Sequence, residues 1–245
     1  MSFLSKIKGS KNADMAICSA VIAAAGSSSR MDGGDKLFLE ICGKPVLAHT
    51  LAVFQNCNLV DDIIVVVRAD MIGRACDICK EYGIDKATKI IAGGETRFDS
   101  VNNGVFAVSP NAHLIAIHDG ARPCIDIGII EQTVITAAKY YAAAPAVPVF
   151  STLKRVEGAT ISETIDREGV YEIQTPQVFE ANIIKAALSN AASKSISITD
   201  DCMAVELLSV PVRITEGSRN NIKLTTDEDV CVAEAVLGGR ARVRG

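Results

Sequence analysis

The segment "DDIIVVVR", residues 61–68, carries five β-branched residues in a row, Ile63 to Val67. A strand apolar at every position, rather than at every second one, must be covered on both faces. That excludes a sheet with one wet face and requires helices above and below. The same demand recurs along the chain. "AICSAVIAA" (16–24) is a second continuous apolar run, and "ATKIIAGG" and "HLIAIHDGARP" (113–123) end comparable runs in glycines or polar residues. Helical patterns lie between them. Leu47, Leu51 and Phe54 recur at helical spacing, with Pro45 suited to the first helical position. Residues 70–82 form a helix stopped by Gly83, "RFDSVNNGVFAV" is helical, and Asp126 caps a long helix that "APAVPVF" follows into a fifth strand.

This rhythm predicts an α/β fold: a Rossmann-like, mostly parallel twisted sheet with helices on both faces. Ligands of such sheets bind beyond the carboxyl ends of the strands. The polar clusters fall there, after Ala25, at Gly93-Gly94-Glu95, and from Asp119 to Arg122. The rhythm breaks at about 150–175, where Val, Ile and Tyr alternate with charges and Gly158 and Gly169 mark turns. This predicts a protruding antiparallel arm. Solvated hairpins rarely stand alone, so the arm is expected to pack on a second copy as a dimerisation element. A helix follows from about 180, then one opened by Thr199 with Asp200 and Asp201 in its first turn. A strand "VPVRIT", the segment "NIKLTT" and a final helix capped by Thr226 complete the chain. Residues 1–15 read as a flexible tail and 238–245 as a frayed end. With no repeat or linker, residues 1–245 read as a single domain.

A net charge of −4 argues against nucleic-acid or membrane-surface partners, which need a basic field. The first apolar run, about ten residues, is too short to span a bilayer, and the expected location is cytoplasmic. The eight cysteines then read as reduced, mostly packed side chains. Cys76 and Cys79 form a C-x-x-C, but inside an amphipathic helix rather than at a strand end, which favours packing over redox chemistry.

The loop "AAGSSSRMDGGDK" ends the first strand in small residues that let backbone N–H groups approach a ligand, with Arg30 and Lys36 nearby. At about 4 Å and an effective dielectric near 20, one such charge attracts a unit anion by about 4 kcal/mol. The loop matches neither G-x-x-x-x-G-K-[ST] nor G-x-G-x-x-G, so neither a Walker ATPase nor a dinucleotide fingerprint applies. His118 reads as a satisfied histidine at a strand end, His49 as surface or packing, and Asp200 and Asp201 as partners of a helix dipole.

Taken in order, A-A-G-x-x-x-R-M, G-K-P-V-L, "GGETRFDSV", "HDGARP", "STLKR", "TIDREG", "QTPQVF", "ITDDCMAVELL" and "EGSRNNIKLTTDED" form a constellation. It resembles the 2-C-methyl-D-erythritol 4-phosphate cytidylyltransferases from about Ala20 to Val236. The resemblance implies a nucleotidyltransferase that uses CTP and a divalent ion, usually Mg²⁺, to make the CDP derivative of methylerythritol phosphate. Pyrophosphate is released, in non-mevalonate isoprenoid synthesis. It implies that Ala24, Ala25 and Gly26 lie under the nucleotide and that Arg30 and Lys36 stabilise the reacting triphosphate. Gly94, Glu95 and Ser100 would surround cytosine and ribose, and Asp119, Gly120 and Arg122 would bridge ribose and substrate. Thr152 and Arg167 would reach the substrate phosphate from a neighbouring subunit's arm, in a homodimer. Thr175 and Lys223 would complete that pocket.

The residue types suit the chemistry. A phosphomonoester is largely dianionic near neutral pH, because its second pKa is about 6. No general base is needed. Catalysis then rests on positioning and electrostatic clamping. Several positions depart from the family pattern: Ser28 and Gly120 stand where glycine and alanine are usual, Glu95 where Asp is common, and Asp35 and Leu37 flank Lys36 in place of Pro and Gln. Two rival readings are a cytidylyltransferase for another polyol phosphate, such as ribitol 5-phosphate, and a non-catalytic nucleotide-binding protein of the same fold. Retention of both Arg30 and Lys36 argues against the second.

Overall fold

The computed structural model describes residues 17–26 and 36–244. The tail expected at 1–15, Ser28, Arg30 and Asp35 lie outside the described residues. Strand β1 (Ile17–Ala24) is followed by a 3-10 turn at Lys36–Phe38 and a small hairpin, β2 (Glu40–Ile41) and β3 (Lys44–Pro45). Then come α1 (Val46–Gln55), β4 (Asp62–Val67), α2 (Ile72–Glu81), β5 (Ala87–Ala92), α3 (Arg97–Ala107) and β6 (Ala112–Asp119). The second half contains α4 (Ile127–Tyr140), β7 (Ala142–Pro148), β8 (Leu153–Glu157), β9 (Thr160–Ile165), β10 (Tyr171–Ile173) and β11 (Gln177–Glu180). It closes with α5 (Ala181–Ser193), α6 (Asp201–Glu206), β12 (Arg213–Glu216) and α7 (Asp227–Arg244).

The main sheet runs β10-β7-β11-β6-β1-β4-β5, with β12 paired to β7. Strands β5, β4, β1 and β6 are parallel, while β11 is antiparallel to both β6 and β7. The chain leaves β1 outward through β4 and β5, then returns to place β6 on the other side of β1. That reversal is the topological switch point, and crevices for ligands open there, at the strands' carboxyl ends. Ala23 pairs with Asp119 at that point.

The uninterrupted apolar strands are covered as their composition demands. Ala20, Ile22, Ile63, Val65 and Val67 pack with Leu47, Leu51 and Phe54 of α1, Ala75 of α2 and Val134 of α4. Their alternates Val21, Ile64 and Val66 pack with Val101 and Val105 of α3, Ile184 and Leu188 of α5, and Val205 of α6. Period-two side-chain alternation therefore feeds two cores.

Several expectations shift by local chemistry. Pro45 is the N-cap of α1 rather than its first residue. Asp200, not Thr199, opens α6, because its carboxylate accepts the Met203 N–H at 3.0 Å. The fourth strand stops at Asp119, and residues 120–122 turn back through the Arg122 N–H, which donates to the Asp119 carbonyl at 3.1 Å. At the end expected to fray, α7 runs through Gly238 and Gly239 to Arg244. Arg240 anchors it, donating to the carbonyls of Ile125 (3.2 Å) and Cys124 (3.0 Å). Cys76 and Cys79 lie on α2 as free thiols, and burial pushes Cys79 up to about 11, far from a reactive thiolate. Among the described residues, no helix is long and apolar enough to cross a membrane.

Gly104 shows how closely α3 approaches the sheet: a Cβ there would lie 2.4 Å from Val21 Cγ1 and 2.9 Å from Val66 Cγ2. In an open helix, glycine to alanine gains about 1 kcal/mol, whereas overpacking a core costs about 1–3 kcal/mol. Gly104→Ala is expected to lose about 1 kcal/mol net or more, seen as a lower urea midpoint at unchanged slope. An unchanged or higher midpoint would show that the strand face yields.

Candidate active site

The carboxyl ends of β1, β5 and β6 converge on one crevice. Ala24 and Gly120 are in close approach, since a Cβ on Gly120 would lie 3.0 Å from Ala24 Cβ. The Gly120 N–H donates to the Ala23 carbonyl at 2.8 Å. After β5, Gly93 has no room for a side chain: its Cβ would lie 2.4 Å from Ala25 Cβ and 2.6 Å from Ser100 Oγ. The Gly94 N–H donates to Ser100 Oγ at 3.1 Å, and Ser100 in turn donates to the Thr96 carbonyl at 2.9 Å. A capping box between Thr96 and Asp99 fixes the start of α3. Ala24, Ala25, Gly94 and Ser100 thus line one wall, whose chain path brings backbone close to any occupant, with Gly26 and Glu95 exposed at its edge.

At the foot of this wall is Asp119, only 6% exposed. Its Oδ1 lies 3.2 Å from Arg97 Nε, and its Oδ2 lies 3.0 Å from Lys223 Nζ and 3.5 Å from Arg122 Nε. Burial alone would raise this carboxyl, but Arg97, Lys223 and Arg122 outweigh it and hold Asp119 well below the usual carboxylate range. Arg97 continues to Asp201, donating from Nη1 at 3.2 Å and Nη2 at 2.8 Å. Burial raises the Asp201 carboxyl against the opposing pull of Arg97. Three cations face two carboxylates, so the cluster keeps one unit of positive charge.

Segment 221–224 is stitched across the same crevice. Arg122 Nη1 donates to the Asn221 carbonyl at 2.6 Å, and Asn221 Nδ2 donates to the Thr175 carbonyl at 2.9 Å. The Leu224 N–H donates to the Ala121 carbonyl at 2.9 Å, and Lys36 Nζ donates to the Leu224 carbonyl at 2.9 Å. Lys36 and Lys223 thereby meet on one short stretch, and Lys36 adds a fourth cation to the crevice.

His118 is a satisfied histidine, as its position suggests. Its Nε2 lies 3.4 Å from the Arg122 carbonyl and its Nδ1 3.0 Å from Thr175 Oγ1. A carbonyl can only accept, so Nε2 carries the proton and Nδ1 accepts from Thr175. Thr175 Oγ1 accepts in turn from the Asp119 N–H at 3.2 Å. The single hydroxyl hydrogen of Thr175 is therefore committed to His118, and Thr175 shapes the Asp119 turn. His49 is half-buried, with Nε2 2.7 Å from the Ile41 carbonyl.

Of the residues the sequence marks, the structure brings together Ala24, Ala25, Gly94, Ser100, Asp119, Gly120, Arg122, Thr175, Lys223 and Lys36. Thr152 and Arg167 are exposed on the arm instead, with Arg167 donating to the Phe150 carbonyl. Sequence reasoning missed Arg97, and it gave Asp201 only a dipole role. A signal was present: Arg97 is the first residue of α3, where a cation opposes the helix dipole and needs a compensating anion. Among the described residues, no group of three or more His, Cys, Asp or Glu side chains is placed to hold a metal ion.

A switch-point crevice that joins a small-residue wall to a cluster of cations suits a phosphorylated ligand, and the similarity to known proteins places the chain among the nucleotidyltransferases. The 2-C-methyl-D-erythritol 4-phosphate cytidylyltransferase family model matches residues 18–239. A protein of that name from Halalkalibacterium halodurans is 44% identical over 225 residues, covering 91% of this chain and 98% of its own length. One from Dehalococcoides mccartyi is also 44% identical, over 220 residues, covering 89% and 95%. A crystal structure of 4-diphosphocytidyl-2C-methyl-D-erythritol synthase from Anaerococcus prevotii superposes with a TM-score of 0.80 at 31% identity, covering 91% of this chain and 96% of the other. The chain belongs to the 2-C-methyl-D-erythritol 4-phosphate cytidylyltransferase family. It transfers CMP from CTP to methylerythritol phosphate in isoprenoid precursor synthesis, and the ribitol 5-phosphate alternative is not favoured.

His118 gives the site an acid signature. Burial drives its pKa down to about 3, whereas in the unfolded chain it protonates near 6.5. Its contribution to stability is complete above about 6.5 and is lost progressively as pH falls towards 3. His118→Gln is expected to flatten the fall in Tm across that window without moving the pH profile of turnover. A fall as steep as in the wild type would remove His118 from the acid response.

Proposed function

We propose that CTP lies along the wall of Ala24, Ala25, Gly26, Gly94, Glu95 and Ser100, with its triphosphate directed at Lys36 and Arg30. The cations gathered on Asp119 carry this reading: they surround the switch point and exceed the carboxylates they neutralise. The methylerythritol phosphate would be held by Arg122 and Lys223, with Asp119 as their common anchor and Thr175 supporting the turn through His118.

A phosphate oxygen of the substrate attacks the α-phosphorus of CTP. One P–O bond forms while the bond to the bridging oxygen breaks, and its electron pair leaves with pyrophosphate. The nucleophile is already ionised, so no side chain need take a proton. What the protein supplies is charge: Lys36 and Arg30 offset the negative charge growing on the leaving group, and Lys223 and Arg122 let two anions approach. A divalent ion, Mg²⁺ by the family pattern, enters with CTP as part of the substrate, held by phosphate oxygens and water.

The chain works as a homodimer through the arm. Val156 and Ile161 are paired across β8 and β9 and are 53% and 60% exposed, an apolar pair that calls for a cover. In that dimer Thr152 and Arg167 would reach the partner's crevice, which accounts for their distance from this chain's own cluster. A cytoplasmic setting agrees with Cys18, Cys57, Cys79, Cys124 and Cys202 being buried free thiols.

Mixing two inactive variants tests both the arm and the cation assignment. Lys36→Ala and Arg167→Ala are each expected to reduce pyrophosphate release from CTP and methylerythritol phosphate by about a hundredfold or more. Co-refolded, half the dimers are mixed, and each mixed dimer has one site with both residues intact. Roughly a quarter of wild-type activity should return. No recovery, with mixed dimers demonstrated, would place Arg167 on its own subunit's site, and an Arg167→Ala variant of undiminished activity would place it outside catalysis.

A further inference from the structure

Asp201 is 1% exposed, and both of its oxygens are taken by one guanidinium. Arg97 uses Nη1 and Nη2 on Asp201 and Nε on Asp119, so its planar fork is gripped along two edges and cannot rotate. The anchor is itself fixed. Gln177, on the sheet in β11, donates from Nε2 to Asp200 Oδ2 at 2.9 Å and accepts the Cys202 N–H at 3.0 Å. The start of α6 is thereby clamped to the strand beside β6, which ends in Asp119.

Asp119 has one oxygen on Arg97 and the other on Lys223 and Arg122. The rotation of its carboxylate about the Cβ–Cγ bond therefore decides where the second oxygen, and the cations on it, can sit. The geometry points to Asp201 as a positioning residue for the transfer reaction: by locking Arg97 it fixes the Asp119 carboxylate, and through Asp119 it sets Lys223 and Arg122. This rests on the reading of Lys223 and Arg122 as the groups that hold the substrate phosphate. Misplacing a reacting group by about 1 Å costs up to about a hundredfold in rate, so an unlocked Arg97 has a measurable price.

Arginine, rather than lysine, is needed at 97. A lysine could neutralise Asp201 or Asp119, but it has no second edge with which to hold both. The neutral amide of Asp201→Asn keeps the shape of the side chain and removes the charge that grips the fork.

Steady-state kinetics of the full chain test this with Asp201→Asn, Arg97→Lys, the double variant, and Lys223→Ala in parallel. Asp201→Asn and Arg97→Lys should each raise KM for methylerythritol phosphate by about tenfold or more, and the double variant should be no worse than the poorer single one, because both break one relay. If Asp201→Asn does not fold, Arg97→Lys carries the same expectation alone. Unchanged KM with only a lower Tm, or effects that multiply in the double variant, would overturn the relay. If Lys223→Ala leaves KM for methylerythritol phosphate unchanged, the site reading fails instead, whatever Asp201 does.

Discussion

A carboxylate buried at the end of a strand is a problem the rest of this molecule is arranged to meet. Asp119 sits at the switch point, out of water, and its ionised form persists only because positive groups surround it. Arg122 comes from the turn directly after β6, but Arg97 comes from the start of α3 and Lys223 from the segment before α7. Removing Asp119 would leave Arg122, itself buried, without the carboxylate that faces it, which is far more costly than never having had the pair. The order β6-β1-β4-β5 brings these segments together, because only at the reversal do elements from both halves of the sheet share a rim. The parallel sheet and the charge cluster are therefore two aspects of one constraint.

The cluster also bears on the type of chemistry proposed for the site. The nearest imidazole, His118, is held neutral and has both nitrogens occupied. The proposed reaction asks for no general base, because its nucleophile is already ionised. Under the proposed mechanism the positive groups would act by being fixed in advance, so that little reorganisation is needed when charge moves onto the leaving group. Lys36 and Lys223 are linked through the backbone of Leu224, which under the proposed assignment would tie the nucleotide side of the crevice to the substrate side.

The sheet was readable because its signal is local. Ile63 to Val67 can only be a strand covered twice, and both covers are present. Ends of elements were less readable, because side chains from elsewhere set them. The last helix outlasts its glycine pair because Arg240 reaches carbonyls more than a hundred residues away in sequence. The site was legible only in part for the same reason. Lys223 on its own is an unremarkable basic residue, and it gained meaning from the order of the surrounding motifs. Arg97 stood inside a quoted motif and passed unnoticed, since its two acceptors lie 22 and 104 positions away. Pairwise partners at that separation leave no periodicity to read.

Two departures from the family pattern show why an unusual residue need not weaken the site. Gly120 and Leu37 both differ from the usual residues, and each looks like a loss when read alone. In the fold they are neighbours: a Cβ on Gly120 would lie 3.4 Å from Leu37 Cδ2 and 3.0 Å from Ala24 Cβ. Leu37 is 2% exposed, so its side chain fills the space over the turn instead of reaching solvent. The small residue at 120 and the apolar residue at 37 therefore accommodate one another, and dispersion contacts take the place of whatever polar contact a glutamine would make. Burying Leu37 also fixes the direction of the adjacent Lys36, whose ammonium group is then aimed at Leu224 and the crevice. The apolar residue at 37 thus packs beneath the turn that carries Lys36, the residue proposed to meet the triphosphate.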